Sequence, residues 1–132
     1  MKRISTQELR IGNYVEYNTR IAKVCEIQKA FFYCESDGVE FFTRDQLEPG
    51  AKPIPLTEEW LLKFGFDKYK YGHHSYRKKS FIIEEGLLKN SPYDFRKRIS
   101  KDTSLGLTYI KHVHQLQNLY FALTGEELTL QQ

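Results

Sequence analysis

The chain has 132 residues, of which 40% are hydrophobic and 28% charged, and its formal net charge is +3. This length can bury the core of one compact domain or two very small ones, and the small net charge does not by itself indicate a nucleic-acid partner. No apolar run reaches the length of a signal-peptide core or a membrane span, so the sequence predicts a cytoplasmic protein with no membrane partner.

The first part of the chain, residues 1–52, is expected to form a small SH3-like antiparallel β unit. Short runs with β-branched and aromatic residues are separated by brief turns, which is typical of a curled antiparallel sheet. Before them, Ser5 to Leu9 is predicted as one helical turn capped by Ser5. The predicted strands are Tyr14–Tyr17, Ile21–Gln28, Phe31–Glu35 and Val39–Thr43, with a tight turn at Ser36-Asp37-Gly38.

Cys25 and Cys34 are the two cysteines of the chain, and they form neither a CxxC pair nor a disulfide-rich pattern. If Lys29-Ala30 is a two-residue hairpin loop, counting outward from it places Cys25 directly opposite Cys34. Because the sequence carries no secretory signal, we expect both thiols to be free.

The segment Pro49 to Pro55 holds three prolines, which exclude helix and remove ladder donors, so it is predicted as a linker or an extended crossing strand. Residues 53–132 should then form an α+β unit of helix, antiparallel strands and a final helix. Thr57 as N-cap, Glu58 and Glu59 in the first turn, and Gly65 at the end predict the first of these helices.

After that helix, the alternation from Asp67 to Glu85 predicts a hairpin with its turn near Gly72, and Tyr93–Ile99 and Leu107–Ile110 are predicted as further strands. The spacing of Val113, Leu116, Leu119, Tyr120 and Leu123 predicts an amphipathic helix that Gly125 ends. We expect this helix to pack, with the helix of Trp60, on the second sheet. Glu126 to Leu130 alternates as a short edge strand would.

Two long stretches, PIPLTEEWLLKFGF at 53–66 and VHQLQNLYFALTGEEL at 113–128, resemble a group of small uncharacterised proteins of Bacteroidetes and their phages or mobile elements. The Leu9-Arg10-Ile11-Gly12-Asn13 opening fits the same group. The resemblance implies a bacterial or phage origin, but it implies no activity and transfers no catalytic residue to this chain.

Candidate chemistry is sparse. His112 and His114, with His73 and His74, have a spacing that could suit a metal in extended chain, but no carboxylate or cysteine spacing completes a site. Neither cysteine is tied to a histidine by a motif, and no glycine pair has the spacing of a phosphate-binding loop. The sequence therefore predicts a noncatalytic protein that holds no metal and no cofactor.

A basic region is the strongest functional hint, because residues 63–101 hold eleven Lys and Arg against four Asp and Glu. Its cations alternate with Tyr69, Tyr71, Tyr76, Tyr93 and Phe95, a pattern that could pair phosphate contacts with base stacking. On a regular strand, however, alternation would turn these rings to the opposite face from the cations and bury them. The candidate nucleic-acid-binding residues are Lys68, Lys70, Arg77, Lys78, Lys79, Arg96, Lys97 and Arg98.

The leading hypothesis is consequently a binding or accessory protein whose partner, protein or nucleic acid, the sequence does not identify. Nucleic-acid binding through residues 68–98 is the alternative, with at most weak and salt-sensitive affinity expected, and an enzyme ranks last. If Arg77-Lys78-Lys79 and Arg96-Lys97-Arg98 lay on adjacent strands, their charges would converge into one patch.

Overall fold

The computed structural model describes residues 6–29, 31–44, 51–71, 73–86, 88 and 91–131. In these ranges the chain forms two antiparallel sheets, two α-helices and one short 3-10 turn, so the α+β prediction is confirmed. The chain divides into two compact units. Unit 1 comprises residues 1–55 and 112–127, and unit 2 comprises residues 56–111 and 128–132.

Unit 1 contains a four-stranded meander in the order β1-β2-β3-β4, preceded by the 3-10 turn Thr6–Glu8. Asn18 and Thr19, and then Asp37 and Gly38, join strands with positive φ, as tight hairpin turns require. The strands are β1 Tyr14–Tyr17, β2 Arg20–Ile27, β3 Phe31–Ser36 and β4 Val39–Arg44. The core of the sheet is formed by Leu9, Val15, Tyr17, Ala22, Val24, Phe32, Cys34 and Ala51.

The predicted pairing of Cys25 with Cys34 is wrong by one residue. The β2–β3 ladder pairs Ile27 with Phe32 and Glu26 with Tyr33, and then a bulge shifts the register so that Val24 pairs with Cys34. Cys25 is the extra residue at this bulge, which the sequence pattern does not show. Both thiols are free, with Cys34 buried and Cys25 half-buried.

The proline-rich segment returns to the first sheet where the structure describes it. Lys52 forms an isolated antiparallel bridge with Glu16 of β1, each backbone N–H donating to the other residue's carbonyl oxygen. Pro55 forms a second bridge with His112. Of the two predicted forms, linker or extended crossing strand, residues 51–55 form no strand and make only these two isolated bridges, and residues 49 and 50 lie outside the described residues.

The final helix, α2 (Val113–Thr124), belongs to unit 1, whereas we expected it to cover the second sheet. Its buried residues are Val113, His114, Leu116, Gln117 and Tyr120. Leu123, which the apolar stripe included, is 46% exposed. The buried face is therefore rotated from the apolar stripe toward Gln117, because Gln117 satisfies backbone groups at the start of β1.

Gln117 lies at the centre of this contact. Its side-chain oxygen accepts a hydrogen bond from the Tyr14 backbone N–H at 2.8 Å, and its side-chain nitrogen donates to the Gly12 carbonyl oxygen at 3.1 Å. Gln117 is almost fully buried. A buried amide with both ends satisfied fixes where the helix sits along the strand, which apolar contacts alone leave less defined.

Arg10 holds the second half of α2. Its guanidinium donates to both carboxylate oxygens of Glu127, at 2.6 and 2.9 Å, and to the Asn118 side-chain oxygen at 3.1 Å. It also lies 4.3 Å from the centre of the Phe121 ring. The hydrogen bond from Arg10 lowers the pKa of Glu127. The pair therefore stabilises unit 1 above the unfolded pKa of that carboxyl, and this contribution is lost as the pH falls through the lowered folded value.

Unit 2 begins with helix α1 (Glu58–Lys63), whose signals in the sequence are all confirmed. Thr57 accepts a hydrogen bond from the Trp60 backbone N–H, and Gly65, with φ of 90°, ends the helix. The Gly65 N–H donates to the Leu62 carbonyl and the Phe66 N–H to the Leu61 carbonyl. This pair of bonds is the Schellman arrangement that a glycine after the helix permits.

A five-stranded antiparallel sheet follows in the order β5-β6-β7-β8-β9. Its strands are β5 Asp67–Tyr71, β6 His73–Lys78, β7 Phe81–Glu84, β8 Tyr93–Ser100 and β9 Thr103–Ile110. Tyr76, Ile83 and Phe95 share its buried face in consecutive register. The predicted edge strand at 126–130 is wrong, since these residues form no ladder, although Leu128 is buried.

We expect Leu116→Ala to destabilise unit 1 by about 2–5 kcal/mol, because this fully buried leucine would leave a cavity in the helix contact. The measurement is urea unfolding followed by circular dichroism. Leu123→Ala, in the same helix at an exposed position, should cost less than about 1 kcal/mol. Equal losses for the two variants would contradict the placement of α2.

Replacing Gln117 by Leu keeps its size approximately but leaves the Tyr14 N–H and the Gly12 carbonyl without their side-chain partners. We expect a loss of about 1–3 kcal/mol for each buried group left unsatisfied. Gln115→Leu, two residues earlier, is the comparison variant and should cost less, because it removes only the exposed capping hydrogen bond that the Gln115 side chain accepts from the His112 backbone N–H. Faster amide exchange of Tyr14 in Gln117→Leu, measured by hydrogen–deuterium exchange, would locate the effect.

Candidate binding surfaces

The cations of the basic region do not form one common patch, because the structure divides them between two faces of the second sheet. The register places Arg77, Ile82 and Arg96 opposite one another on one face, and Lys78, Phe81 and Lys97 on the other. Strand β7 also lies between β6 and β8, so the two basic triplets are not on adjacent strands. The condition for convergence of all six cations, adjacent strands, is therefore not met, and alternation along each strand further divides them between the faces.

Several of these cations already have partners. Lys68 forms an ion pair with Glu58, which also accepts a hydrogen bond from the Tyr76 hydroxyl at 2.8 Å. Arg96 binds Asp94 at 2.9 Å and the Ser104 hydroxyl oxygen at 2.8 Å, and Arg98 donates to the carbonyls of Ser100 and Lys101. Lys79 is exposed at the β6–β7 turn with φ of 54°. The Lys70 side chain lies outside the described part of the structure.

The aromatic residues of this region offer few stacking surfaces. Tyr76 and Phe95 are buried, and burial together with the bond to Glu58 raises the pKa of Tyr76. Tyr69 lies on the opposite face from Lys68, as alternation predicts. It is nevertheless 39% exposed and not buried, because the buried face of the sheet is the face of Lys68 and Tyr76. The guanidinium carbon of Arg77 covers one side of the Tyr69 ring, at 4.7 Å from the ring centre. The side chain of Tyr71 lies outside the described residues.

A second candidate surface lies on the first sheet, on the face opposite its core. Phe31, Tyr33 and Phe42 form a cluster there, with ring centres 5.1 to 6.0 Å apart. Phe42 is 45% exposed, and the other two rings are half-buried. Their neighbours Phe32 and Cys34 point to the core, so both faces of β3 carry apolar side chains.

Three carboxylates border these rings. Glu26 lies opposite Tyr33 in the β2–β3 ladder, and Glu35 lies directly opposite Glu40 in the β3–β4 ladder. All three are exposed. We call the surface formed by Phe31, Tyr33, Phe42, Glu26, Glu35 and Glu40 the acidic aromatic face.

The negative charge of this face affects the pKa of the Cys25 thiol. Its sulfur lies 3.5 Å from both Glu40 Oε1 and the Tyr33 carbonyl oxygen, so the single thiol hydrogen can be donated to either acceptor. Burial raises the pKa of Cys25, and the hydrogen bond to Glu40 and the negative charges of Glu40, Glu35 and Glu26 raise it further. The three carboxylates are therefore close enough to act on one group. Burial raises the pKa of Cys34 to about 11, so both thiols are poor nucleophiles at neutral pH.

Sequence reasoning missed the acidic aromatic face. In Phe31-Phe32-Tyr33-Cys34 every residue is apolar or aromatic, so alternation does not tell which set points to the core. The sequence did offer one signal of a charged surface, because Glu26 precedes these aromatic residues and Glu35 and Glu40 follow them.

The histidines do not assemble a metal site in the part of the chain that the structure describes, where no group of three or more His, Cys, Asp or Glu side chains could hold an ion. The His112 and His114 rings stack 5.8 Å apart, and His114 is buried with Nε2 at 2.9 Å from Glu8. His74 Nδ1 lies 3.0 Å from Glu85. The His73 side chain is outside the described residues.

Among the residues described, no helix is both long and apolar enough to cross a bilayer. Comparisons of the chain with protein-family models, with curated proteins and with solved structures gave no match.

The negative charge around Cys25 leads to a prediction about the reactivity of its thiol. Its alkylation by iodoacetamide, measured in a Cys34→Ala background, should follow a pH profile whose midpoint lies above that of a free thiol. Glu40→Gln should move the midpoint down and speed the reaction at a fixed mildly alkaline pH, because it removes a nearby negative charge and replaces a charged acceptor with a neutral amide oxygen. Asp37→Asn, at the β3–β4 turn, is the charge-matched control. An unchanged profile in Glu40→Gln would show that the carboxylates do not act on this thiol.

Proposed function

We propose that this protein is a noncatalytic protein-binding module, and that its acidic aromatic face binds a Lys- and Arg-containing segment of a partner protein. The single observation that carries the proposal is the placement of three clustered aromatic rings beside two directly opposed carboxylates, Glu35 and Glu40.

The chemistry of the face suits a basic partner. An ammonium or guanidinium group over an aromatic ring gains about 0.5–1 kcal/mol at an exposed site, and more when water is excluded. Carboxylates beside the rings add charge-assisted hydrogen bonds and steer a positive segment toward the face. Aromatic residues such as Phe42 also supply the large contact area that binding hot spots use.

The opposed glutamates carry a cost in the isolated protein. Like charges directly opposite across an antiparallel ladder destabilise the pair. Lys23 pairs with Glu35 from the other side, but its ammonium nitrogen lies over the Tyr14 ring at 6.0 Å. A cation from a partner placed between Glu35 and Glu40 would relieve this repulsion, so the same arrangement that costs stability favours binding.

The finer identity of the protein is part of the proposal. We infer that unit 1 is an SH3-like β unit, an interpretation supported by its four-stranded meander and by the return of Lys52 to β1. A cytoplasmic accessory role in Bacteroidetes, or in their phages or mobile elements, is supported by the resemblance of the stretches 53–66 and 113–128.

Nucleic-acid binding through Lys68, Lys70, Arg77, Lys78, Lys79, Arg96, Lys97 and Arg98 remains the alternative proposal. The local excess of positive charge from 63 to 101 supports it. The division of these cations between two sheet faces, and the ion pairs of Lys68 and Arg96, favour the protein-binding proposal instead.

The proposal is tested with a fluorescent peptide of about ten residues that alternates Arg or Lys with Leu. Fluorescence anisotropy should show saturable binding to the full chain, with affinity that falls as salt rises. Phe42→Ser should weaken the affinity at least about tenfold, because it removes the most exposed ring of the cluster. Glu40→Gln should weaken it and reduce its salt dependence.

Two matched controls keep the outcome specific. Ile11→Ser removes another exposed apolar side chain of unit 1, and Asp37→Asn removes another exposed acidic charge, and both should bind as the parent chain does. A peptide with Glu in place of the cations should not bind. Equal binding by Phe42→Ser and the parent chain would refute the proposal. Salt-sensitive binding of single- or double-stranded DNA or RNA, with no peptide binding, would promote the alternative.

A further inference from the structure

Unit 2 contains a concavity that the protein-binding proposal does not use. It has a volume of about 250 Å³ and is lined by residues of β6, β7 and the β8–β9 hairpin, among them Arg77, Glu84, Arg98, Lys101, Asp102 and Ser104. We propose that this concavity binds the phosphate group of a small phosphomonoester, with Arg77 as its central cation.

Arg77 is held in place for such a role. Its guanidinium carbon lies over the Tyr69 ring, 4.7 Å from the ring centre, and the side chain is half-buried. The Nε atom is buried and has no hydrogen-bond acceptor among the residues that the structure describes. Because Nε is closed to solvent, the donors left to bind an anion are those of the two terminal nitrogens, and an anion bound there would compensate a cation held in a half-buried position. The planar guanidinium fork matches the oxygens of a phosphate.

Other donors surround the same space. The Arg98 guanidinium is oriented by its bonds to the carbonyls of Ser100 and Lys101 and still carries further N–H donors. The Ser104 hydroxyl oxygen accepts from Arg96 Nε at 2.8 Å, so its own hydrogen is directed elsewhere. Lys101 is exposed and adds a third positive charge.

The acidic residues narrow the class of ligand. Glu84 and Asp102 also line the concavity, so its net charge is smaller than that of its three cations. Glu84 lies 3.8 Å from Arg96, which partly neutralises it. Carboxylates accept hydrogen bonds from hydroxyl groups, which a sugar or glycerol phosphate carries and a bare inorganic ion has only in its protonated form. The concavity is smaller than the sites that bind drug-sized ligands, whose volumes are about 300–1,000 Å³. Its size therefore also favours a small molecule.

The test is an NMR titration of the full chain, labelled with nitrogen-15, with glycerol 3-phosphate, inorganic phosphate, glycerol and a single-stranded oligonucleotide in separate arms. Saturable shifts should occur for glycerol 3-phosphate at the amides of Arg77, Arg98 and residues 100–104, with weaker binding of inorganic phosphate and none of glycerol. Arg77→Gln should weaken the affinity at least about tenfold, as expected for a lost hydrogen bond to a charged group.

Lys97→Gln is the matched control, because Lys97 is an exposed cation of the same sheet on the opposite face. It should leave the affinity unchanged, and an equal loss in Lys97→Gln and Arg77→Gln would overturn the site by showing nonspecific attraction. If Arg77→Gln unfolds, Lys101→Gln must weaken binding instead for the proposal to stand. Oligonucleotide binding that Arg77→Gln abolishes, with no binding of glycerol 3-phosphate, would overturn the small-molecule assignment.

Discussion

The hydrogen bonds of Gln117 are the interaction on which unit 1 depends most. They join α2 to the Gly12–Tyr14 segment across 105 and 103 residues of sequence, and they satisfy two backbone groups that the sheet itself leaves unpaired. Asn118 and Arg10 extend the same contact, since Asn118 accepts from both Arg10 and Asn13 and donates to the Glu8 carbonyl. The helix is positioned by amide geometry, and its leucines fill the space that this geometry defines.

The two proposed binding surfaces follow from the same property of a β-strand, which sends successive side chains to opposite faces. On β3 the alternation puts Phe32 and Cys34 in the core and leaves Phe31, Tyr33 and Glu35 outside. On β6 it buries Tyr76 and leaves Arg77 on the other face with Tyr69. The chain thus presents a surface of acidic character on unit 1 and an arginine-centred concavity on unit 2.

The elements with local signals were predictable from sequence. Thr57 and Gly65 bound α1, Gly125 ends α2, and Asp37-Gly38 makes the β3–β4 turn, because each depends on backbone chemistry within a few residues. The placement of α2 was not predictable in this way, since Gln117 finds its partners far along the chain. The bulge at Cys25 and the exposure of Tyr69 also depend on long-range packing, which fixes register and decides which face is buried.

The discontinuity of unit 1 has a kinetic consequence. Residues 56–111 separate the β1–β4 meander from the helix that completes it, so unit 1 matures only after a long loop closes. Contacts of high sequence separation slow folding, whereas the hairpins of unit 2 are mostly local. During synthesis the first sheet would emerge from the ribosome well before α2, with the Gly12 carbonyl and the Tyr14 amide open to water. Unit 1 would then be completed only when the Gln117 side chain binds these two backbone groups.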